Sequence, residues 1–317
     1  TDHYGFSAMV QRTGLSLEGK KVLVLGSGGA SRTVVCVLEE LGANPVVISR
    51  TGKDNYQNLN HHADAAAIVN TTPVGMYPNT GISPVELDGF SHLEGVLDLI
   101  YNPARPQLLL DAERRGIPTQ NGLWMLVAQA KEAAEVFTGA PIAHSAIARI
   151  HQALSRQMQN LVLIGMPGCG KSTIGPLLAQ ATGRSFVDAD ETISALAGKT
   201  IPEIFAQDGE DAFRRLESQV LADLGKRSGL VIATGGGCVT RADNYPLLHQ
   251  NGILLRLERE LSLLPTDGRP VSQSRSLSQL YEARDPLYRA FADITIDNNG
   301  TPAQTLCAIA ACLEERP

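Results

Sequence analysis

A glycine-rich stretch near the middle of the chain restricts the possible folds more than any other feature of the sequence. Residues 161–173 read LVLIGMPGCGKST, and within them Gly165, Gly170, Lys171 and Ser172 satisfy the pattern G-x-x-x-x-G-K-[ST]. An apolar run precedes the pattern and a stretch with helical spacing follows it, as in the strand, loop and helix of a phosphate-binding P-loop. The sequence therefore predicts an α/β domain that contains a parallel sheet and a nucleotide site.

The groups of this loop are expected to divide the work of binding a nucleotide. Backbone N–H groups of residues 166–172 face the β-phosphate at the amino end of a helix, Lys171 reaches the β and γ oxygens, and Ser172 holds Mg²⁺. The expected ATP-binding residues are Gly165, Gly168, Cys169, Gly170, Lys171, Ser172 and Thr173. An incidental lysine in a glycine-rich turn is the competing interpretation, and the flanking strand and helix patterns argue against it.

An acidic pair and several arginines supply the other groups that phosphoryl transfer needs. The run FVDAD places Asp188 and Asp190 two residues apart at a strand end, where alternate side chains share one face. Alone, such a pair is more typical of a solvated turn, but beside a P-loop one carboxylate can serve Mg²⁺ and the other an acceptor hydroxyl. Arg214, Arg269 and Arg284 carry guanidinium forks that suit an acceptor with a carboxylate, although most isolated arginines are surface residues.

With these motifs, residues 158–317 resemble the shikimate kinase family. The segments GMPGCGKST, FVDAD, IPEIFAQDGEDAFRRLE, VIATGGG, GRP and ARDPLYR occur in the family's order and at near-family spacing. The resemblance implies a P-loop NMP-kinase-like fold in which ATP, with Mg²⁺, phosphorylates the 3-hydroxyl of shikimate. One departure is a short lid segment, in which Leu263 and Leu264 stand near the place of a basic residue that other members carry against adenine. Nucleotide affinity and preference are expected to differ accordingly.

The resemblance also implies a role for each matching residue. Lys171 and Ser172 serve the nucleotide and the metal, and Asp188 supports Mg²⁺. Asp190 holds the acceptor hydroxyls and accepts the proton, and Arg269 reaches the transferring phosphate from the lid, so Lys171, Asp190 and Arg269 are the implied catalytic residues. The implied shikimate ligands are Asp190, Arg214, Gly235, Gly236, Gly237 and Arg284.

A second glycine-rich turn occurs near the start of the chain. The run VLVLGSGGASR contains Gly26, Gly28 and Gly29, with Ser31 at the third position of an imperfect G-x-G-x-x-G dinucleotide fingerprint. The next apolar run ends at Arg50, where an NAD-binding protein carries an acidic residue, and a cation there suits the 2′-phosphate of NADP. A purely structural turn is the alternative interpretation.

Residues 1–156 resemble the cofactor-binding part of shikimate dehydrogenase, which implies a Rossmann-like fold. The segments GSGGASR, SRT, NTTPVGMYP, DLIYNP and NGLWMLVAQA recur in order. The implied NADP(H) ligands are Gly26, Gly28, Gly29, Ala30, Ser31, Arg50, Thr51, Tyr101 and Met125. Asp2 and Gln129 are implied to contact shikimate. In that family the catalytic lysine belongs to a substrate domain that does not occur in this sequence, so we expect negligible dehydrogenase activity.

The order of elements predicts two α/β domains, residues 1–156 and residues 157–317. Strand-like and helix-like runs alternate from residue 20, and a helix over residues 140–160 is expected to end the first domain. In the second domain we expect one helical tract over residues 190–226. A polar loop, a strand and a helix are expected after the strand GILLRLE.

Composition narrows the class of partner. The formal net charge is −6, and no basic stripe of the kind that binds nucleic acid is present. No uncharged apolar run approaches the roughly 18 residues of a membrane span. The five cysteines form no C-x-x-C pair and no zinc-like spacing with histidine, so a reduced, cytoplasmic setting is expected. Small molecules are the expected partners. The sequence opens without an initiator methionine, and we expect it to be a fragment.

Three functions agree with these observations. The leading hypothesis is an active shikimate kinase joined to a truncated shikimate dehydrogenase, two families that act in consecutive steps. A regulatory sensor would bind shikimate or quinate in the same sites without turnover. A kinase for another small polyol, such as gluconate, is the third.

Overall fold

The chain forms two compact units, residues 1–156 and residues 157–317, in a computed structural model that describes residues 1–264 and 277–315. Arg269, the residue implied to reach the transferring phosphate, lies outside the described residues. Each unit contains a five-stranded sheet whose described strand pairs are all parallel. The predicted α/β class is therefore confirmed for both halves of the chain.

The first unit has the strand order β2-β1-β3-β4-β5. Its strands are β1 (Lys21–Leu25), β2 (Asn44–Ile48), β3 (Ala67–Asn70), β4 (Gly95–Asp98) and β5 (Thr119–Gln120). Its helices are α1 (Asp2–Thr13), α2 (Gly29–Glu40), α3 (Gln107–Arg114), α4 (Leu123–Thr138) and α5 (Ser145–Met158). Helix α5 continues two residues past the end of the unit.

Strand β1 shows why this sheet has helices on both faces. After Lys21 its sequence is apolar, and successive side chains point to opposite faces of a sheet. Val22 and Val24 belong to a core cluster shared with α1, α2 and α4, whereas Leu23 and Leu25 belong to a second cluster that includes residues of α3. This two-sided burial is the pattern of a doubly wound parallel sheet.

The crossovers of the first unit are unequal. Between β2 and β3 the only described helix is a 3₁₀ turn, Leu59–His62, and the described residues 71–94 between β3 and β4 contain no helix.

Helix α1 was not predicted from the sequence. It forms because Phe6 and Met9 are fully buried in the cluster that also contains Trp124 and Met125 of α4, so tertiary packing supplies its stability.

The second unit has the strand order β10-β9-β6-β8-β7. Its strands are β6 (Asn160–Ile164), β7 (Ser185–Asp188), β8 (Leu230–Ala233), β9 (Gly252–Glu258) and β10 (Ile294–Asp297). Its helices are α6 (Lys171–Thr182), α7 (Ala189–Ala197), α8 (Ile201–Gln207), α9 (Glu210–Lys226), α10 (Asn244–His249), α11 (Leu277–Phe291) and α12 (Pro302–Glu314). Short 3₁₀ helices occupy Cys238–Thr240 and Leu261–Leu263.

Two predictions for the second unit were wrong in detail. The tract over residues 190–226 is three helices, because Gly198 and Gly209 adopt φ values of 63° and 83° that interrupt a helix. Thr200 is the N-cap of the next helix, α8, and forms a capping box with Glu203. Helix α11 was missed although its apolar residues have helical spacing, because it follows a polar segment and contains Pro286, a residue that usually interrupts a helix.

The carboxyl ends of the second sheet meet at one edge, as they do in every parallel sheet. In sheet order this edge carries Asn298, Arg259, the P-loop, Thr234 and Asp188. The central position of β6 therefore places the P-loop between groups from the strands on either side. Among the described helices, none combines the length and the apolar composition that crossing a bilayer demands.

Candidate active site

The P-loop connects β6 to α6 through residues whose backbone only glycine adopts readily. Gly165, Gly168 and Gly170 have φ values of 143°, 85° and 104°. A Cβ on Gly165 would lie 2.6 Å from the carbonyl oxygen of Leu257, and a Cβ on Gly170 would lie 2.6 Å from Nδ2 of Asn298. Gly170 is the N-cap of α6, so the unpaired N–H groups and positive dipole end of this helix point toward any anion held by the loop.

Lys171 lies folded across the loop. Its Nζ donates to the carbonyl oxygens of Gly165 (2.8 Å) and Met166 (3.1 Å), and the side chain is buried. Cys169 supports the loop rather than lining it: its side chain is fully buried, its N–H donates to Met166, and its carbonyl oxygen accepts from Asn298 Nδ2 at 2.6 Å. Asn298 follows β10, so a distant strand holds the loop in shape.

The acidic pair differs from the arrangement expected for two strand residues. Strand β7 ends at Asp188, which caps α7 by accepting from the N–H of Asp190 at 2.9 Å, and Asp190 already belongs to the helix. The second carboxylate oxygen of Asp188 accepts from Ser172 Oγ at 3.0 Å. One carboxylate therefore joins the P-loop to α7, and Asp190 is turned toward the glycines after β8, since a Cβ on Gly235 would lie 2.8 Å from its Oδ1.

Arg214 is buried on α9 between two carboxylates. Its Nη1 donates to Glu217 Oε2 at 2.8 Å and its Nη2 donates to Glu210 Oε1 at 3.1 Å. The side chain of Glu217 is 1% exposed, and its Oε1 has no hydrogen-bond partner in the described chain. Burial raises the pKa of Glu217, and the positive charge of Arg214 opposes that shift.

Sequence reasoning did not select Glu217. Its spacing from Arg214 on one helix is i,i+3, which places the two side chains on the same face, and that spacing is the signal that could have identified it.

Arg284 reaches the same region from α11. Its Nη1 donates to the carbonyl oxygen of Gly236 at 3.1 Å, and the hydroxyl of Tyr288 donates to the same oxygen at 2.5 Å. Both side chains are buried, and burial raises the pKa of Tyr288, so its hydroxyl stays a donor. A Cβ on Gly237 would lie 2.2 Å from Nη1 of Arg214. The two guanidinium groups therefore approach adjacent residues of the glycine triplet.

A cavity of about 660 Å³ brings these groups together. The predicted residues that line it are Gly168, Gly170, Lys171, Ser172, Thr173, Asp188, Asp190, Arg214, Gly235, Gly236, Gly237 and Arg284. Leu263, which the sequence placed near the adenine position, also lines it. The lining residues that sequence reasoning missed are Pro167, Ile201, Pro202, Phe205, Phe213, Glu217, Thr234 and Arg259. Gly165 and Cys169 shape the loop from behind this surface. One end of the cavity is a phosphate-binding loop, and the other contains two buried arginines and a carboxylate.

The glycine turn of the first unit leaves space at the amino end of α2. A Cβ on Gly26, whose φ is 107°, would lie 2.8 Å from Thr71 Oγ1, so β1 and the segment after β3 approach closely there. A Cβ on Gly28 or Gly29 would meet nothing within 4 Å. Gly28 is the N-cap of α2.

A cavity of about 410 Å³ adjoins this turn. Ala30 and Tyr101 are the predicted cofactor residues that line it, with Thr71, Thr72, Pro73, Met76, Tyr77, Leu99, Ile100 and Asn102. Arg50 and Thr51 are exposed beyond β2, whereas the side chains of Ser31 and Met125 are buried.

The two residues implied to contact shikimate in the first unit meet directly. Gln129 Nε2 on α4 donates to Asp2 Oδ1 on α1 at 3.1 Å. The helices can come this close because Gly5 has no side chain: a Cβ there would lie 2.5 Å from Gln129 Cγ. The fold thus joins side chains from opposite ends of the first unit.

A buried polar pair beside the second cavity was also missed. Asn70 Nδ2 donates to both carboxylate oxygens of Asp98 at 3.0 and 3.1 Å, and both side chains are fully buried at the carboxyl ends of β3 and β4. Burial raises the pKa of Asp98 to about 7, against hydrogen bonds from Ile100 N–H and Asn70 that favour the charged form. Nothing in the local sequence distinguishes this aspartate from a surface one.

Within the described residues, one group of metal-binding side chains comes together that sequence spacing did not reveal. The ligand atoms of His3, Cys36 and Glu40 lie within 4.8 Å of one another on exposed faces of α1 and α2. His3 Nε2 and Glu40 Oε2 are 2.9 Å apart. The tertiary contact between the helices creates the group, because His3 is distant in sequence from the other two.

Comparisons with known proteins give each half a counterpart. The shikimate kinase family model matches residues 167–314. A solved shikimate dehydrogenase from Peptoclostridium difficile is 33% identical with a TM-score of 0.46, covering 49% of this chain and 61% of the dehydrogenase. The chain thus spans about three fifths of the length of that protein.

Two shikimate kinases illustrate the match of the second half. Shikimate kinase of Synechococcus sp. (strain RCC307) is 45% identical over 167 residues, which are 49% of this chain and 85% of the relative. A solved shikimate kinase from Acinetobacter baumannii, in complex with shikimate, is 35% identical with a TM-score of 0.46 and covers 52% of this chain and 99% of its own. Because the chain matches 85% of the Synechococcus shikimate kinase at 45% identity, it belongs to the shikimate kinase family.

Proposed function

We propose that residues 157–317 form a kinase domain that transfers a phosphoryl group from ATP to the 3-hydroxyl of shikimate. The observation that carries this proposal is a single cavity with a P-loop lysine at one end and Arg214, Arg284 and Asp190 at the other. An acceptor that carries both a carboxylate and ring hydroxyls fits these two ends.

At the nucleotide end, the loop N–H groups and Lys171 bind the phosphates. Lys171 Nζ exchanges its bonds to the carbonyl oxygens of Gly165 and Met166 for phosphate oxygens, which carry full negative charge and are stronger acceptors. The lysine is already aimed across the loop, so little side-chain entropy is lost when the nucleotide binds.

Ser172 and Asp188 fit a magnesium ion. A hydroxyl and a carboxylate are hard oxygen donors, and their 3.0 Å separation is about that of two adjacent ligands around an octahedral ion with metal–oxygen distances of about 2.1 Å. When bound, Mg²⁺ neutralises charge on the nucleotide phosphates. The other carboxylate oxygen of Asp188 accepts a hydrogen bond from the N–H of Asp190, so the start of α7 orients Asp188 as a metal ligand.

At the acceptor end, Arg214 and Arg284 bind the carboxylate and Asp190 receives the hydroxyl. Glu217 is buried and keeps its hydrogen bond from Nη1 of Arg214. Glu210 is 58% exposed, so the substrate carboxylate can replace it as the acceptor for Nη2. Asp190 lies beside Gly235 and accepts the proton as the hydroxyl attacks. The proposal retains Arg269, outside the described residues, as the group that reaches the transferring phosphate.

The test is ADP release with Mg-ATP and shikimate in a coupled assay. Arg214→Ala is compared with wild type, with a reaction that lacks acceptor, and with Arg215→Ala, a neighbouring exposed arginine. We expect release to require shikimate and the KM for shikimate to rise roughly 10- to 100-fold in Arg214→Ala only, as for loss of hydrogen bonds to a charged group. Release that does not depend on shikimate would refute the proposal.

The same assay separates the other two hypotheses. Shikimate binding without ADP release would support the regulatory-sensor hypothesis, which no contact among the described residues favours. Faster turnover of gluconate than of shikimate would indicate a different polyol kinase.

We further propose that residues 1–156 form a domain that binds NADP(H). The open space at Gly28 and Gly29, at the amino end of α2, suits a pyrophosphate, and exposed Arg50 suits a 2′-phosphate. Titration with NADPH and NADH tests this. Arg50→Gln is expected to remove a preference for NADPH and leave NADH binding unchanged; equal NADPH binding by wild type and variant would contradict the role of Arg50.

A further inference from the structure

Arg259 is the first residue after β9 and forms part of the wall of the 660 Å³ cavity. Gly170 is the N-cap of α6, and Nη1 of Arg259 lies 3.9 Å from the position that a Cβ on Gly170 would take. The guanidinium therefore stands beside the end of the helix where the phosphates of a P-loop ligand are held.

The guanidinium has no partner among the residues that the structure describes. Its Nε is buried and makes no hydrogen bond. The other two arginines of the cavity differ in this respect, because Arg214 is bound by Glu210 and Glu217, and Arg284 donates to Gly236. A buried donor without a partner is destabilising, and more so when its group is charged. An acceptor that arrives with the ligand would remove this cost.

The position of Arg259 favours a phosphate oxygen over the base as that acceptor. Leu263, 45% exposed, lines the same cavity and offers an apolar surface for a flat ring. Lys171 supplies one positive charge from within the loop, and Arg259 adds a second beside the N-cap of α6. We propose that Arg259 donates to the phosphate chain of the bound nucleotide and so sets nucleotide affinity; this inference rests on ATP occupying the P-loop as proposed above.

The proposal is tested by calorimetric titration of the full chain with Mg-ADP and, separately, with inorganic triphosphate, which has no base. The variants are Arg259→Gln, which removes the charge, and Arg259→Lys, which keeps it. Arg227→Gln is the matched control, since Arg227 is exposed and precedes β8 at the opposite edge of the sheet.

We expect Arg259→Gln to weaken both ligands by a similar factor, roughly 10- to 100-fold, and Arg259→Lys to restore part of the affinity. The KM for shikimate should stay at the wild-type value and the melting temperature should not fall, because Arg259 contacts neither the acceptor end nor a described partner.

Each other outcome contradicts the inference in a recognisable way. If Arg259→Gln weakens ADP binding but not triphosphate binding, Arg259 contacts the adenine base and not the phosphates. Unchanged binding of both ligands, in a wild type that binds ADP, would remove Arg259 from the nucleotide site and leave the kinase proposal intact. A wild type that binds neither ligand would overturn both.

Discussion

Glu217 shows how one buried carboxylate can orient a binding group. It is almost fully buried, holds Nη1 of Arg214 at 2.8 Å and faces the cavity that contains Asp190. The pair places a guanidinium in a low-dielectric setting, where a missing partner is costly. Arg214 is therefore positioned before any substrate arrives, and the ordering cost of binding is lower.

We predict that Glu217→Gln raises the KM for shikimate roughly tenfold while the KM for ATP stays within about twofold of wild type, because the amide keeps the shape but loses the charge that holds Arg214. Glu210→Gln is the matched comparison, since it removes the exposed partner of the same arginine, and exposed pairs contribute about 0–1 kcal/mol. Steady-state kinetics with each substrate varied in turn provide the measurement. Equal effects of the two variants would contradict the positioning role of Glu217.

Asp98 predicts a pH dependence of stability in the first unit. Its pKa rises from 3.8 to about 7 on folding, so the folded state binds this proton more tightly than the unfolded chain does. The resulting stabilisation is complete below about pH 4 and is lost as the pH rises to about 7, amounting to about 4 kcal/mol.

The test compares wild type with Asp98→Asn in urea at pH 4.5 and pH 7.5. The single tryptophan, Trp124 on α4, reports unfolding of the first unit. Between these pH values we expect the free energy of unfolding of wild type to fall by up to about 3 kcal/mol more than that of the variant. Parallel pH profiles would show that Asp98 does not titrate in this range.

At the scale of elements, the end of β10 helps to hold the P-loop. Asn298 Nδ2 donates to the carbonyl oxygen of Cys169, and Asn298 Oδ1 accepts from Thr305 Oγ1 on α12, both at 2.6 Å. The side chain is buried, so each bond is shielded from water. The nucleotide loop is thus tied to the last strand and the last helix of the chain.

We predict that Asn298→Ala raises the KM for ATP about tenfold and leaves the KM for shikimate unchanged, because the loop loses a buried hydrogen bond while the acceptor end keeps its contacts. Thr305→Val, which removes only the second bond, should have a smaller effect in the same direction. Kinetics and ADP titration measure both variants. An effect confined to shikimate would contradict this account.

The elements also show what sequence patterns miss. The P-loop strand β6 and helices α5 and α6 were predicted because each carries its signal within one continuous segment. Helices α1 and α11 were not, since α1 depends on burial of Phe6 and Met9 against α4, and α11 holds Arg284 and Tyr288 against the backbone of Gly236. These stabilising contacts come from distant parts of the chain.

At the scale of the whole molecule, each unit has core residues of its own. One core cluster contains only residues from the second unit, and the two others contain only residues from the first. A ligand that binds only a folded unit stabilises that unit by mass action.

We therefore predict that Mg-ADP with shikimate raises the melting temperature of the second unit by roughly 5–10 °C at about 100 times the dissociation constant, and leaves the melting of the first unit, followed by Trp124 fluorescence, unchanged. NADPH is expected to do the reverse. Calorimetric scans recorded alongside fluorescence distinguish the two transitions. A single transition that every ligand shifts equally would show that the units unfold together.

The sequence by itself determined the two α/β halves, the P-loop and its lysine, and the family of the second half, because glycine positions and apolar runs act locally on the backbone. Most of the site residues predicted in the second unit line one cavity, because many of them follow strands whose carboxyl ends meet. Glu217, Arg259, Asn298 and Asp98 could not be selected, since their significance lies in burial and in partners from other segments. Only the tertiary structure decided those, because desolvation and a missing or completed hydrogen bond depend on which distant groups the sheet order brings together.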